Sequence, residues 1–95
     1  DSDAQVRQGV VAVLGEAGDG GAVPHLLLLL RTDASAGVRA EVAFRLGKIG
    51  TSDVLADLSN AAMADLDVGV RGWARWAIQQ IRLSREFGSR KPPTR

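Results

Sequence analysis

The chain has 95 residues, of which 45% are hydrophobic and 24% are charged, and it contains no cysteine. This length suits one small domain, and the lack of cysteine excludes disulfides, thiolate catalysis and zinc–thiolate sites. The net charge of +1 conceals an uneven distribution. Residues 1–70 contain five basic and ten acidic residues, whereas residues 71–95 contain seven basic residues and one acidic residue. The C-terminal end is therefore expected to meet an acidic partner or the acidic part of a second copy.

No membrane segment is expected. The leucine run at residues 26–30 is far shorter than the roughly 18–20 apolar residues that cross a bilayer. Residues 1–20 lack the basic start and apolar stretch of a signal peptide. We therefore predict a cytoplasmic location and no membrane partner.

A motif of the form Asp-x-(Asp/Ser)-x-x-Val-Arg occurs three times at equal intervals, beginning at Asp1, Asp33 and Asp65. A repeat of this length predicts a solenoid, in which each unit buries its apolar face against its neighbour. The predicted organisation is one domain over residues 1–88, with units at 1–32, 33–64 and 65–88 and a basic disordered tail at 89–95.

Each unit is predicted to begin with a helix, at about 4–16, 36–48 and 68–87. Side-chain oxygens at the motif's third position are candidate N-caps, supplied by Asp3, Ser35 and Asp67. Second helices are predicted at about 21–31, with Pro24 in the first turn, and at about 52–63, with Ser52 as the cap. The short loops predict that the two helices of a unit form an antiparallel hairpin.

Paired glycines end the first helix of the first two units, at Gly15 and Gly18 and again at Gly47 and Gly50. The inner glycine allows a partner helix to cross closely, and the outer one suits the left-handed residue that ends a helix. The third unit has Gln79 and Arg82 at these positions. Its helix is therefore predicted to continue to about Phe87, with Gly88 after its end and no second helix to cover it.

Residues 38–50 read Val-Arg-x-x-Val-x-x-x-Leu-Gly-x-Ile-Gly and are followed by an apolar helix and Asp65. This pattern resembles the HEAT-like repeat of the phycobilisome-lyase type, and the resemblance covers residues 1–82. It implies an all-α solenoid of antiparallel helical hairpins, with about two and a half repeats and five helices. It also implies a protein-interaction scaffold, with a non-catalytic subunit or fragment of a bilin lyase-like protein as an alternative.

The resemblance further implies that the aspartate and arginine of the motif pair within or between neighbouring units. This structural role falls on Asp33, Arg39, Asp65 and Arg71, and by extension on Asp1 and Arg7. Charge-assisted hydrogen bonds of this kind fix register and need no ligand.

Phe44 and Trp76 lie one repeat apart at outward positions where the repeat normally has a polar residue. They predict an aromatic column on the outer surface of the first helices, flanked by Trp73 and Phe87. One interpretation is that Trp73 packs against the preceding unit while Phe87 folds back as a cap. The other is a surface for a partner or for self-association through the C-terminal helix, since contiguous exposed aromatics commonly mark one.

A basic stripe is predicted on the last helix, formed by Arg71, Arg75, Arg82 and Arg85. Clustered cations of this kind bind phosphates, so nucleic-acid binding is an alternative function. A solvated helix end is the simpler interpretation of the same residues.

A second candidate partner surface is predicted on the concave side, formed by His25, Leu28, Asp57 and Asn60. His25 is the only histidine, and no serine has a histidine placed near it by the repeat. We therefore predict a protein–protein interaction module that is not an enzyme and has no metal site or cofactor.

Overall fold

The computed structural model describes residues 3–17 and 20–88. This part of the chain contains five α-helices and no strand, which confirms the predicted all-α solenoid. The helices are α1 (Ala4–Ala17), α2 (Val23–Thr32), α3 (Ala36–Ile49), α4 (Leu55–Ala64) and α5 (Val68–Gly88). Short 3-10 turns at Gly20–Ala22 and Ser52–Val54 precede α2 and α4. The predicted tail at 89–95, Asp1, Gly18 and the side chain of Phe87 lie outside the described residues.

The predicted N-caps of the three first helices are confirmed. Asp3 Oδ1 accepts the Gln5 N–H at 2.9 Å, and Asp67 Oδ2 accepts the Val70 N–H at 3.0 Å. Ser35 Oγ lies 3.4 Å from the Val38 nitrogen, which donates to it. These side chains satisfy N–H groups that have no partner inside the helix.

The end of α3 also agrees with the sequence, whereas the start of α4 does not. Gly50 has φ +80°, in the left-handed region, and its N–H donates to the Leu46 carbonyl at 3.0 Å. The prediction that the Ser52 side chain caps α4 is wrong. Ser52 instead begins the 3-10 turn, and its backbone carbonyl accepts the Leu55 N–H.

The helices α1, α3 and α5 lie side by side in one row, while α2 packs on α3 and α4 packs on α5. The predicted hairpin partners therefore need correction, because each second helix packs mainly on the first helix of the next unit. The loops at 33–35 and 65–67 explain this arrangement. They have three residues each, so they hold α2 against α3 and α4 against α5 more tightly than the longer connections within a unit do.

The glycines inside the first helices make the row compact. A Cβ added to Gly47 would lie 2.9 Å from both Cα and Cβ of Ala77 on α5. A Cβ on Gly15 would lie 2.6 Å from Cβ of Arg45 on α3. Both crossings are closer than any residue with a side chain allows, which confirms the predicted role of the inner glycine.

The last helix follows the predicted course as far as Gly88 but is better covered than expected. Its inward side chains are fully buried, because α3 and α4 both pack against it. These side chains are Val70, Ala74, Ala77 and Ile81. The apolar cover of these side chains comes from α3 and α4 of the preceding unit.

None of the described helices combines the length and the apolar character that crossing a bilayer requires.

We expect Gly47→Ala to destabilise the chain by about 1–3 kcal/mol, because the new methyl group forces α3 away from α5. Gly72→Ala on α5 is the matched control, since a Cβ there meets nothing within 4 Å. It should stabilise the chain by about 0.5–1 kcal/mol through helix propensity. Urea unfolding followed by circular dichroism measures both values, and equal stabilisation by the two substitutions would contradict the close crossing.

Candidate functional site

Three aromatic side chains, Phe44 on α3 and Trp73 and Trp76 on α5, form a cluster where these helices cross. The Phe44 and Trp76 rings are stacked, with centroids 5.3 Å apart and an interplanar angle of 19°. Trp73 meets both rings edge-on, at centroid distances of 5.5 Å from Phe44 and 5.4 Å from Trp76. These contacts stabilise the crossing and hold each ring in one orientation.

Trp73 is the exposed member of this aromatic cluster. It is 43% exposed, whereas Phe44 and Trp76 are half-buried. A groove of about 370 Å³ opens beside it, and we call this the aromatic groove. Its lining residues are Gln8, Gly37, Ala40, Glu41, Phe44 and Trp73.

Charged groups border the aromatic groove on the α3 side. The Glu41 carboxylate accepts a hydrogen bond from Arg45 Nε at 2.8 Å. The guanidinium carbon of Arg45 lies 5.1 Å from the Phe44 ring centroid, and Lys48 Nζ lies 5.9 Å from it. The groove therefore combines an apolar wall with the Glu41 carboxylate, while the cations of Arg45 and Lys48 lie near the Phe44 ring.

The repeat register explains why this crossing is aromatic. Trp76 corresponds to Phe44 in the second unit and to Ala12 in the first, and Trp73 corresponds to Glu41 and then to Gly9. A groove of about 360 Å³ between α1 and α3 is lined by Gly9, Ala12 and Glu41 and has no aromatic wall. Aromatic character thus increases along the solenoid from α1 to α5.

Trp73 contacts Phe44 of the preceding unit, as the first interpretation predicted, and it is also exposed. The second interpretation, a partner surface, stays a prediction. The structure also adds Gln8, Gly37 and Glu41, which the sequence analysis did not single out. Only the crossing of three helices brings them together. Glu41 and Trp73 occupy equivalent positions in successive units, and this match in the sequence could have indicated that Glu41 lies near the crossing.

The arginines of α5 do not form one uniform stripe. Arg75, Arg82 and Arg85 are exposed, whereas Arg71 is half-buried and its Nη1 donates to the Asp65 carbonyl at 2.6 Å. Arg75 and Arg82 line an open groove of about 540 Å³ together with Gln79. We call this the basic groove, although Glu86 also contributes to its lining.

The predicted surface on the second helices is brought together only in part. Asp57 and Asn60 line a groove of about 230 Å³ with Arg31, whose Nη1 lies 3.7 Å from Asp57 Oδ1. His25 and Leu28 are exposed on α2 but are not among its lining residues. Within residues 3–17 and 20–88, no three side chains of a type that binds metals cluster closely enough to hold an ion.

The aspartates and arginines of the motif form a ladder that connects neighbouring units. Arg7 donates from Nε and Nη2 to the Asp33 carboxylate, at 2.8 and 3.0 Å. Arg39 repeats this geometry on Asp65, at 2.9 and 3.1 Å, and its Nη1 donates to the Asp33 carbonyl at 2.7 Å. Each two-pronged contact joins an arginine to the aspartate 26 residues later. The ladder therefore sets the register between units.

Both carboxylates of the ladder are shielded from solvent, with side-chain exposures of 3% for Asp33 and 8% for Asp65. The hydrogen bonds from Arg7 lower the pKa of Asp33, and its bond from the Ser35 N–H adds to this effect against the opposing effect of burial. Burial raises the pKa of Asp65, but the bonds from Arg39 and the Asp67 N–H together outweigh it, so that this pKa is also lowered. Both groups are thus held as carboxylates.

A row of crossing first helices, locked by an arginine–aspartate ladder and covered by second helices, defines a helical-repeat protein. A family model described as HEAT repeats matches residues 1–79. The chain therefore belongs to the HEAT repeat family. Repeats of this family commonly act as protein-interaction scaffolds and are generally non-catalytic. No curated protein matches the sequence at a significant level.

We expect Asp65→Asn to destabilise the chain by about 1–3 kcal/mol at neutral pH, because Arg39 loses its charged acceptor in a shielded site. Asp57→Asn is the control, since its ion pair with Arg31 is long and more exposed, and it should cost less than about 0.5 kcal/mol.

The same pair predicts an acid dependence of stability. The pKa of Asp65 is lower in the folded chain than the value of about 3.9 in an unfolded chain. Its contribution is therefore complete above about pH 4 and is lost as the pH falls through the lower, folded value. Urea unfolding at neutral and acidic pH should show a smaller acid-induced loss of stability in Asp65→Asn than in the native chain. Equal losses would exclude this role.

Proposed function

We propose that this chain is a protein-interaction module that binds its partner at the aromatic groove and has no catalytic activity of its own. The observation that carries this proposal is Trp73, which is 43% exposed although two rings hold it in place. A preorganised tryptophan is the kind of residue that dominates binding energy at protein interfaces, because it contributes a large apolar area at a small entropic cost.

The chemistry of the aromatic groove indicates what it binds. Phe44 and Trp73 supply apolar walls for one aliphatic or aromatic side chain of the partner. Gln8 and Glu41 supply polar atoms at the same opening, suited to backbone N–H and carbonyl groups. An extended peptide segment with one apolar anchor residue meets both requirements.

The remaining predictions from the sequence are more specific than the observations made on the structure. Use of the concave residues His25, Leu28, Asp57 and Asn60, self-association through the C-terminal helix and a cytoplasmic location all stay predictions. Assignment to the phycobilisome-lyase type rests on the motif at residues 38–50, and we propose it as a subclass only. A bilin-lyase-like role stays an alternative from sequence resemblance.

Nucleic-acid binding is the second candidate function, supported by the basic groove. Arg75 and Arg82 stand at the positions of Ala43 and Gly50, so cations replace small residues on this side of α5. Both side chains are exposed and line one opening. Their spacing of seven residues places them on the same face of the helix, about 10 Å apart along its axis.

We expect short peptides selected from a random displayed library against the intact chain to lose binding at least about tenfold in Trp73→Ala. Met63→Ala, an exposed apolar residue on α4 outside the candidate surfaces, is the control and should leave binding unchanged. Because Trp73 also packs between helices, circular dichroism must show that the variant is folded. Peptides that bind the folded Trp73→Ala variant at full strength would refute the aromatic groove as the site.

For the second candidate, a fluorescently labelled single-stranded oligonucleotide should bind at about 50 mM salt and weaken steeply as salt rises. The double substitution of Arg75 and Arg82 by alanine should reduce both the affinity and its salt dependence. Lack of binding at low salt would eliminate this function without affecting the peptide result.

A further inference from the structure

Among the described residues that line the aromatic groove, only Glu41 is charged. Its side chain is 20% exposed, and its Oε2 atom accepts the hydrogen bond from Arg45 Nε. Within residues 3–17 and 20–88, its Oε1 atom accepts no hydrogen bond. Because a carboxylate offers about four acceptor positions, Glu41 can bind a further donor at the groove.

The structure already shows how Glu41 and an aromatic ring hold a guanidinium together. Arg45 donates to Glu41 at 2.8 Å, while its guanidinium carbon lies 5.1 Å from the Phe44 ring centroid. Arg45 lines the groove between α1 and α3 and is not among the residues that line the aromatic groove. One arginine thus makes a charge-assisted hydrogen bond and a cation–π contact at the same time.

The aromatic groove presents the same two groups, with Trp73 as the ring. Trp73 is 43% exposed. In residues 3–17 and 20–88, no cationic side chain lies over its ring, since Arg45 and Lys48 both lie over Phe44. Tryptophan is the aromatic side chain that attracts cations most strongly. Glu41 therefore lies between two rings, of which one already carries a guanidinium and the other does not.

A second acceptor lies at the same opening, on the α1 side. Gln8 Oε1 lies close to Gly37, at 3.4 Å from the position that a Cβ of this glycine would take. A guanidinium has five N–H donors in a planar fork, so it can stack on a ring while it donates to two acceptors. An ammonium lacks the plane that stacks. The groove thus suits arginine better than lysine.

We propose that the aromatic groove selects a partner segment that has an arginine beside its apolar anchor. The arginine stacks on Trp73 and donates to Glu41 and Gln8. The anchor packs against Ala40 and Phe44. This inference rests on the proposed function, because it names the kind of peptide that the groove binds. All three first helices line the groove, so it lies within the row of helices and not at an end of it.

The test compares peptides selected from a random displayed library against the intact chain with peptides selected against Glu41→Gln. Arginine should be enriched next to an apolar residue in the first set and not in the second. A fluorescein-labelled peptide of the first set should bind Glu41→Gln about tenfold more weakly, because its guanidinium loses a charged acceptor. Replacing the peptide's arginine by glutamine should weaken binding to the native chain by a similar factor and have no further effect in Glu41→Gln.

Two variants serve as controls, and circular dichroism must show that each is folded. Glu16→Gln removes an exposed carboxylate of α1 outside the aromatic groove and should leave binding unchanged. Arg45→Gln tests whether Glu41 acts only by holding Arg45. In that case Arg45→Gln would weaken binding as much as Glu41→Gln, whereas we expect it to bind the peptide at least as tightly as the native chain does.

The outcomes separate this inference from the proposed function. Peptides that depend on Trp73 but lack an arginine preference, or that bind Glu41→Gln at full strength, would overturn this inference and leave the proposed function intact. Peptides that bind the folded Trp73→Ala variant at full strength would overturn both. Enrichment of acidic residues in peptides that Arg45→Gln weakens would overturn the inference in favour of an anionic segment. A dimer of the chain that Glu41→Gln dissociates, measured by light scattering, would overturn it in favour of a second copy.

Discussion

The close crossing of α3 and α5 at Gly47 is the contact on which the rest of the structure depends. The absence of a side chain there lets the backbone of one helix approach Ala77 of the next, at a distance that a methyl group would prevent. This approach brings Phe44 within stacking distance of Trp76 and leaves Trp73 at the surface. The candidate site is therefore a direct product of the packing that builds the core, and its geometry is rigid for the same reason.

The arginine–aspartate ladder complements this crossing, because apolar packing alone specifies distance better than register. A two-pronged contact between a guanidinium and a carboxylate has one favoured geometry. Its repetition from Arg7 to Asp33 and from Arg39 to Asp65 therefore fixes how far each unit is displaced from the last. Each of these aspartates also accepts the N–H two residues later, so the ladder is tied to the helix starts. Register and capping thus share the same side chains.

The α1 side and the α5 side of the solenoid differ in chemistry. On the α1 side the repeat keeps its apolar residues, and Val6, Val10 and Val13 are exposed. On the α5 side the small residues of the crossing are replaced by Arg75, Gln79 and Arg82, which favour water and exclude a closely packed helix. The aromatic groove lies between these sides. Helical-repeat scaffolds present extended surfaces, and here three neighbouring surfaces differ in chemistry.

The sequence by itself determined the repeat length, the helices, their caps at Asp3, Ser35 and Asp67, and the extension of the last helix. These features depend on local hydrogen bonding and on residues at fixed spacing, which a single chain displays directly. The tertiary structure alone decided that α2 covers α3, that α4 covers α5, and that Gln8 joins Trp73 in one groove. These outcomes depend on loop lengths and on how closely distant helices approach, so helical periodicity within one segment does not contain them. Val6, Val10 and Val13 show the distinction, because their spacing matches a core stripe and only the packing shows that they are exposed.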